Sequence, residues 1–416
     1  MEWGVWELRS EGIMSVNCPD CQPYQNDPRH YDDRLESLLS IGLTPLSPAL
    51  RLGRKALTYL PIDRWVLRGL FASLRQLGGF RTVPVVSTDL NLSQRTRVIL
   101  EEAEQRQLTI NQLQLFGKPT NFFVLPLPSG KEIVFEGLPT MPIDHRKVWD
   151  FDDKFAFKQF LARHNFPHAA GRAFTSQKAG IKFGNKLGFP LVVKPRTGSL
   201  TRHTTINIMD SQQLAAAIVS ARRIEYRYVV ERYISGQLFR VVLVNNKFVA
   251  AVLREPANVV GDGVQTIGQL VKQKNSDPRR GDRYSKTHSI HRIRLNDPVV
   301  GAYLEAQNLT NDSILPAKQK VYLYPKVLMI SGAELHDVTD QVHPENRALC
   351  EQLANLFPEK VIGFDLIAED LSRPYTDQSF AFIEANSLPQ IEMHHYPVSG
   401  SPRNVAALVM DIVLEK

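Results

Sequence analysis

The segment Phe382-Ile383-Glu384-Ala385-Asn386, with Gly363-Phe364-Asp365 a short way upstream, constrains this chain more than any other stretch. It reads as a short apolar strand ending in Glu-x-Asn, preceded by a second strand that carries an aspartate. Three hard oxygen donors on neighbouring strands suit Mg2+, which takes carboxylates, waters and phosphate oxygens rather than a full protein cage. Further upstream, Leu191-Val192-Val193-Lys194-Pro195 is an apolar strand that delivers a lysine and is then stopped by proline. A lysine and a magnesium site without a Walker A loop point to ATP held between two sheets.

At 416 residues the chain is too long for one core, so roughly two or three domains are expected. Hydrophobic residues make up 43% and charged residues 22%, the balance of a soluble globular protein. The net charge of +7 fits an anionic ligand. The basic residues are scattered over helix-like segments with no long Lys/Arg tract, so no nucleic-acid partner is expected. Three cysteines exclude a disulfide framework. Cys18-Pro19-Asp20-Cys21 lacks two further ligands at a zinc spacing and Cys350 stands alone, which reads as incidental thiols in a reducing cytoplasm. No run approaches the ~18 to 20 apolar residues of a membrane span. Glu2, Glu7 and Glu11 are wrong for a signal peptide, so the chain is expected to be cytoplasmic. Leu50 to Phe80 mixes Arg51, Arg54, Lys55, Arg64, Arg68 and Arg75 with Leu, Trp65 and Phe71, a basic amphipathic pattern. Packing on its own domain is expected there, rather than membrane contact.

Residues 1–85 are irregular and punctuated by proline. A capped helix is predicted from Leu92 to Arg106, with Ser93 as its cap, and two strands, Phe122–Leu125 and Glu132–Phe135, flank the turn Pro128-Ser129-Gly130. Strands and helices then alternate. Helices are predicted at Lys154–His164, Ser211–Arg222, Thr266–Lys274 and Glu345–Phe357. Strands are predicted at Pro190–Lys194, Arg227–Tyr233, Phe239–Val244, Lys247–Leu253, Val361–Ala368 and Phe380–Glu384. Alternation with several hairpins argues for a mixed α/β (α+β) architecture.

The order of these motifs resembles the ATP-grasp superfamily, and within it the ATP-grasp portion of cyanophycin synthetases. The likeness is carried by Arg254-Glu255-Pro256-Ala257-Asn258-Val259-Val260-Gly261-Asp262-Gly263, by Asn275-Ser276-Asp277-Pro278-Arg279-Arg280-Gly281, by Asp337-Val338-Thr339-Asp340 running into Val342-His343-Pro344-Glu345-Asn346, and by Pro397 to Arg403. It covers residues 150–416, and the Mur-ligase-like part of such enzymes is expected to be missing after Lys416. The implied fold is an ATP-grasp fold of two subdomains gripping ATP, preceded by an N-terminal mixed domain. The expected divisions are an irregular region 1–85, a pre-ATP-grasp α/β domain 86–150, a lid subdomain 151–235 and a C-terminal subdomain 236–416 with the metal site.

The resemblance also assigns roles. Lys158 and Lys194 match the two nucleotide-binding lysines, and a lysine inside an apolar strand such as Lys194 is costly to bury without an anionic partner. Glu231-Arg232-Tyr233-Ile234 looks like the hinge that reads the adenine edge. Asp365, Glu384 and Asn386 fill the metal positions. Arg292 or Arg294, on a strand before Asp297, would reach the transferring phosphate. Arg254, Arg279 and Arg280 are forked donors suited to a carboxylate, so an acidic amino acid or peptide C-terminus is a natural ligand. His394 and His395 either line the acceptor side or cap the fold.

Two departures stand out. Leu238 occupies a position where the superfamily usually places an acid for the ribose hydroxyls. The loop after Lys194 has one glycine, Gly198, where relatives are glycine-rich, and offers Ser199, Thr201, Arg202, Thr204 and Thr205 for phosphate instead. The expected function is an ATP- and Mg2+-dependent carboxylate–amine ligase acting through an acylphosphate on a small-molecule or peptide substrate. The resemblance also allows a homo-oligomer. The rival is a degenerate nucleotide-binding or regulatory module, and a third reading is a membrane- or polymer-associated assembly partner.

Overall fold

The computed structural model describes residues 79–140, 153–198, 201–282 and 285–414. The Cys18/Cys21 pair, the amphipathic segment up to residue 78 and Ser199 fall outside those residues. No described helix is long and apolar enough to cross a membrane.

The first described unit is a meander. Strand β1 (Phe80–Pro84) is followed by helix α1 (Gln94–Gln105) and by β2 (Asn111–Leu115), β3 (Lys118–Pro126) and β4 (Glu132–Glu136), in the order β1-β2-β3-β4. The Ser93 side chain accepts from the Thr96 N–H and caps α1, as its place before an apolar run predicts. The buried face of α1 carries Val98, Ile99, Leu100 and Ala103.

A second sheet follows. It is built from α2 (Lys154–Arg163), β5 (Gly171–Phe174), α3 (Gln177–Leu187), β6 (Leu191–Pro195), β7 (Thr205–Ile208), α4 (Ser211–Ala221) and β8 (Tyr228–Arg232). Its order is β5-β8-β6-β7, antiparallel throughout. Leu191, Val193, Tyr228 and Val230 join Leu214 and Ile218 of α4 in one core. Side chains alternate along a strand, so Lys194 and Glu231 emerge on the opposite face. Helix α3 was not legible in the sequence because Gly180 and Gly184 lower helix propensity. Packing explains Gly180: a Cβ there would lie 2.1 Å from the Tyr228 hydroxyl oxygen.

The third sheet is the largest. Strands β9 (Gln237–Val244) and β10 (Lys247–Glu255) lead into an inserted unit of β11 (Asn258–Val260), α5 (Ile267–Asn275), β12 (Arg280–Gly281), β13 (Ile290–His291), α6 (Pro298–Glu305) and β14 (Lys320–Tyr322). The chain returns through β15 (Glu334–Asp337), α7 (Pro344–Ala354), β16 (Val361–Ala368), β17 (Phe380–Asn386), α8 (Glu392–His395) and α9 (Val405–Val413). The five strands run β15-β10-β9-β16-β17. One face sends Phe239, Val241, Phe364, Leu366 and Phe382 into a core with Phe157 and Phe160 of α2 and Leu349 and Leu353 of α7. The other face puts Val242 and Val244 under Val98 and Ile99 of α1 and Val405 and Val409 of α9. One step further along β9, that second face carries Arg240.

Because α2 packs on the third sheet and continues into the second, the two sheets are tied at one edge. A main-chain bond from the Phe382 N–H to the Pro167 carbonyl, 3.0 Å, closes the seam. The mixed architecture of antiparallel sheets agrees with the class expected from the sequence. Several boundaries differ, among them α7, which stops at Ala354, β3, which runs Lys118–Pro126, and the strand before Asp297, which is only Ile290–His291.

Phe364 is fully buried, with its ring centroid 5.7 Å from Phe382 and 6.0 Å from Phe357. Phe364→Ala is expected to cost about 3–5 kcal/mol. Denaturant unfolding would show a lowered midpoint at an unchanged m value.

Candidate functional site

On the second sheet, Lys194 of β6 and Lys158 of α2 converge on Glu231 of β8. The Lys194 ammonium lies 2.7 Å from one Glu231 oxygen and the Lys158 ammonium 2.8 Å from the other. All three residues are buried. Lys158 also donates to the Ala169 carbonyl. Burial would push the Glu231 carboxyl up, but Lys194 and Lys158 outweigh it and hold it at about 2. Burial is the largest influence on Lys158 and lowers its pKa, with Glu231 opposing and Lys194 adding to the fall.

The strand registry of the third sheet lines up a second cluster. Arg240 of β9 lies opposite Asp365 of β16, which lies opposite Glu384 of β17. Arg240 clasps Asp365 through Nε and through Nη2 at 3.0 Å, and Arg254 Nη1 reaches the same carboxylate at 3.2 Å. Burial would raise the Asp365 pKa, but Arg240 and Arg254 together bring it below its ordinary value. Glu384 shifts the other way, raised by burial and by Asp365 against the pull of Lys154, Arg240 and Lys194. Gly363, opposite Asn386, leaves room for the crossing chain: a Cβ there would come within 2.8 Å of Pro389 Cβ and 3.3 Å of Arg240 Cδ.

The donor set suits a hard divalent cation. Glu384 makes no direct hydrogen bond or ion pair among the described residues, and the Asn386 amide nitrogen is buried without a partner. Two carboxylates and an amide in one cluster are the oxygen chemistry Mg2+ prefers. The charges of Lys154 of α2 and Lys194 of β6 act on the same Glu384, so the two clusters lie near one another. Lys158, Lys194, Glu231, Asp365, Glu384 and Asn386 are therefore brought to the same region.

The loop after β6 is held at its start. Arg196 forks onto Asp153, the cap of α2, at 2.6–2.9 Å, and Lys154 donates to the Gly198 carbonyl. His203, fully buried with φ +51, lies 3.1 Å from the Ser220 hydroxyl of α4. Arg202 is half-buried in the same loop. At the end of β8, Arg232 is exposed and donates to the Leu187 carbonyl at 2.8 Å, the Tyr233 N–H donates to the Pro190 carbonyl at 3.1 Å, and Ile234 is half-buried. Leu238 sits half-buried on β9 between Arg254 and Ile367, and its side chain has no acceptor to offer a hydroxyl.

The remaining arginines are not gathered with Arg254. Arg280 is buried and bound to Glu334 and to the His291 and Gly332 carbonyls, so it anchors the inserted unit. Arg279 is exposed, forked onto Asp277 and the Val398 carbonyl. Arg292 and Arg294 lie past the end of β13, both exposed, with Arg292 paired to Asp282 at 2.8 Å. Alternation around the buried Ile293 turns both toward solvent.

Sequence reading missed Arg240. The available signal was the one that found Lys194, a cation inside the apolar run Phe239 to Val244. Lys154 and Glu392 carried no comparable signal, because only packing brings them near β17 and β9.

No family model matches the sequence. A cyanophycin synthetase from Trichormus variabilis is 31% identical over 331 residues, 78% of this chain and 35% of that protein. A glutathione biosynthesis bifunctional protein GshAB from Mannheimia succiniciproducens is 29% identical over 353 residues, 83% of this chain and 46% of its own length. The crystal structure of a bifunctional glutathione synthetase from Pasteurella multocida is similar, with a TM-score of 0.58 and 25% identity over 78% of this chain and 44% of that one. The chain thus spans about a third to a half of the proteins it matches.

Glu231→Gln would leave two buried ammonium groups sharing a neutral amide, at an expected cost of about 3–5 kcal/mol near neutral pH. Because Glu231 falls from 4.5 to about 2 on folding, its contribution is complete above pH 4.5 and is lost as pH falls through about 2. Unfolding free energies of the two proteins should therefore converge over that window, and a constant gap down to pH 2 would remove the assignment.

Proposed function

The chain belongs to the ATP-grasp superfamily, and from that premise we propose that it is an ATP- and Mg2+-dependent carboxylate–amine ligase. The observation that carries this reading is the convergence of Lys158 and Lys194 on Glu231 on one side and the row of Asp365 and Glu384 across β16 and β17 on the other. In the proposed complex the lysine cluster and the acid–amide cluster would share a single triphosphate. The proposed grip is formed by a lid subdomain, 151–235, and a C-terminal subdomain, 236–416.

In this reading Lys158 and Lys194 exchange the Glu231 carboxylate for phosphate oxygens, and the main chain from Glu231 to Ile234 meets the adenine edge. Asp365, Glu384 and Asn386 would hold Mg2+, which neutralises charge on the β and γ phosphates when bound. Arg240 and Arg254, already beside Asp365, are better placed than Arg292 or Arg294 to take charge on the transferring phosphoryl group. A substrate carboxylate oxygen attacks the γ phosphorus and ADP leaves. An amine nitrogen then attacks the acylphosphate carbon, phosphate leaves, and the nitrogen gives up its proton as the amide forms. An amino acid or short peptide is the proposed acyl substrate, and the cytoplasm the proposed site of action.

Leu238 and the buried His203 favour a second reading, a nucleotide-binding module that performs no ligation. The first offers the ribose no acceptor and the second fixes the lid loop to α4.

ADP release measured with and without amino acids separates the two. A ligase shows amino-acid-dependent release, Lys194→Met weakens ATP binding about tenfold or more, a loss of at least ~1.4 kcal/mol, and Glu384→Gln abolishes release while ATP still binds. ATP binding with no amino-acid-dependent release would establish the module instead.

A further inference from the structure

Next to the proposed metal row lies a group of polar atoms without a hydrogen-bond partner among the described residues. Glu392 Oε2, Arg95 Nε, Arg254 Nε and Asn386 Nδ2 are all buried without a hydrogen-bond partner. Buried polar atoms in folded proteins are almost always paired, and exceptions gather where a ligand or reaction requires them. Glu392 opens the short helix α8, and Arg95 of α1 and Arg240 of β9 lie near enough for their charges to act on it. Neither arginine touches it. An ion pair built only for stability would close that gap.

We infer that Glu392 and Arg95 form the subsite of the amine substrate, which binds as an amino-acid zwitterion with its amino group on Glu392 and its carboxylate on Arg95. This rests on the ligase reading above and names the half of the reaction that reading leaves open. The donor and acceptor pattern selects the ligand. A buried carboxylate oxygen without a partner calls for an N–H donor, and a forked guanidinium calls for a carboxylate. An inorganic anion would meet repulsion from Glu392, and a simple amine would leave Arg95 unpaired.

The placement agrees. Arg95 is aimed by its Nη1 bond to the Leu388 carbonyl, 2.8 Å, in the turn between β17 and α8. On the other side, Arg240 leads directly to Asp365. A zwitterion seated between them would stand beside the cluster where the acylphosphate forms. Burial pushes the Glu392 carboxyl up to about 7 despite Arg95 and Arg240, so it is a weak enough acid to hold an amine without locking it in its protonated form.

The test uses the full chain with ATP, Mg2+ and the twenty common amino acids, singly and in pairs, reading ADP release. Glu392→Gln and Arg95→Gln should raise KM for the amine about tenfold or more, with KM for ATP and the affinity for a non-hydrolysable ATP analogue within about twofold. Glu392→Asp, which keeps the carboxylate, should recover part of the loss. Thermal unfolding checks that each variant is folded. An unchanged amine KM in folded Glu392→Gln, or an equal rise in KM for ATP, overturns the subsite while leaving the ligase reading intact. Absence of ADP release from the unaltered protein with every pair overturns both.

Discussion

Two buried lysines sharing one carboxylate set the terms for the rest of this molecule. An ammonium group loses too much solvation to enter a sheet interior alone, so Lys158 and Lys194 are tolerable only because Glu231 meets both. That contact fixes the pairing of β6 with β8, the approach of α2, and the side of the sheet on which polar chemistry is possible. The helices α3 and α4 are then left the opposite face. In the proposed ligase a nucleotide phosphate would be an alternative acceptor for the same two lysines.

The third sheet solves the mirror problem. Asp365 is buried, and Arg240 and Arg254 keep it ionised. The adjacent Glu384, without a direct partner, is pushed toward its neutral form by burial and by Asp365. One acid saturated by arginine beside one that is not makes an electrostatic gradient along the strand row. That asymmetry is the physical reason the proposed cation is expected beside Glu384 and Asn386, while Arg240 and Arg254 are held by Asp365.

Long apolar strands and capped helices were readable because periodicity and caps are local. Ser93 accepts from its own helix's first turn, as its position in the sequence implies, and Asp210 and Thr266 do the same for theirs. Val361–Ala368 is a strand over the full predicted range. The segments that escaped reading are those whose local signal opposes their structure. Helix α3 carries glycines that packing against Tyr228 and Leu214 explains, and β14 and β15 are short pieces whose partners, β11 and β10, lie far off in sequence. The arginines behaved likewise. Arg279 and Arg280 are adjacent in sequence, yet one is exposed and the other is buried against Glu334.

The sequence by itself determined which side chains must find counter-charges, since a lysine or an acid inside an apolar strand cannot be solvated there. It also determined the α/β class, because strand and helix periods are properties of neighbouring residues. Only the tertiary structure decided which charge meets which. Register across β9, β16 and β17 put Arg240 on Asp365 and left Glu384 open, and the docking of α1 and α8 brought Arg95 toward Glu392. Electrostatic pairing depends on distances through space, which strand pairing and helix packing set and local sequence does not.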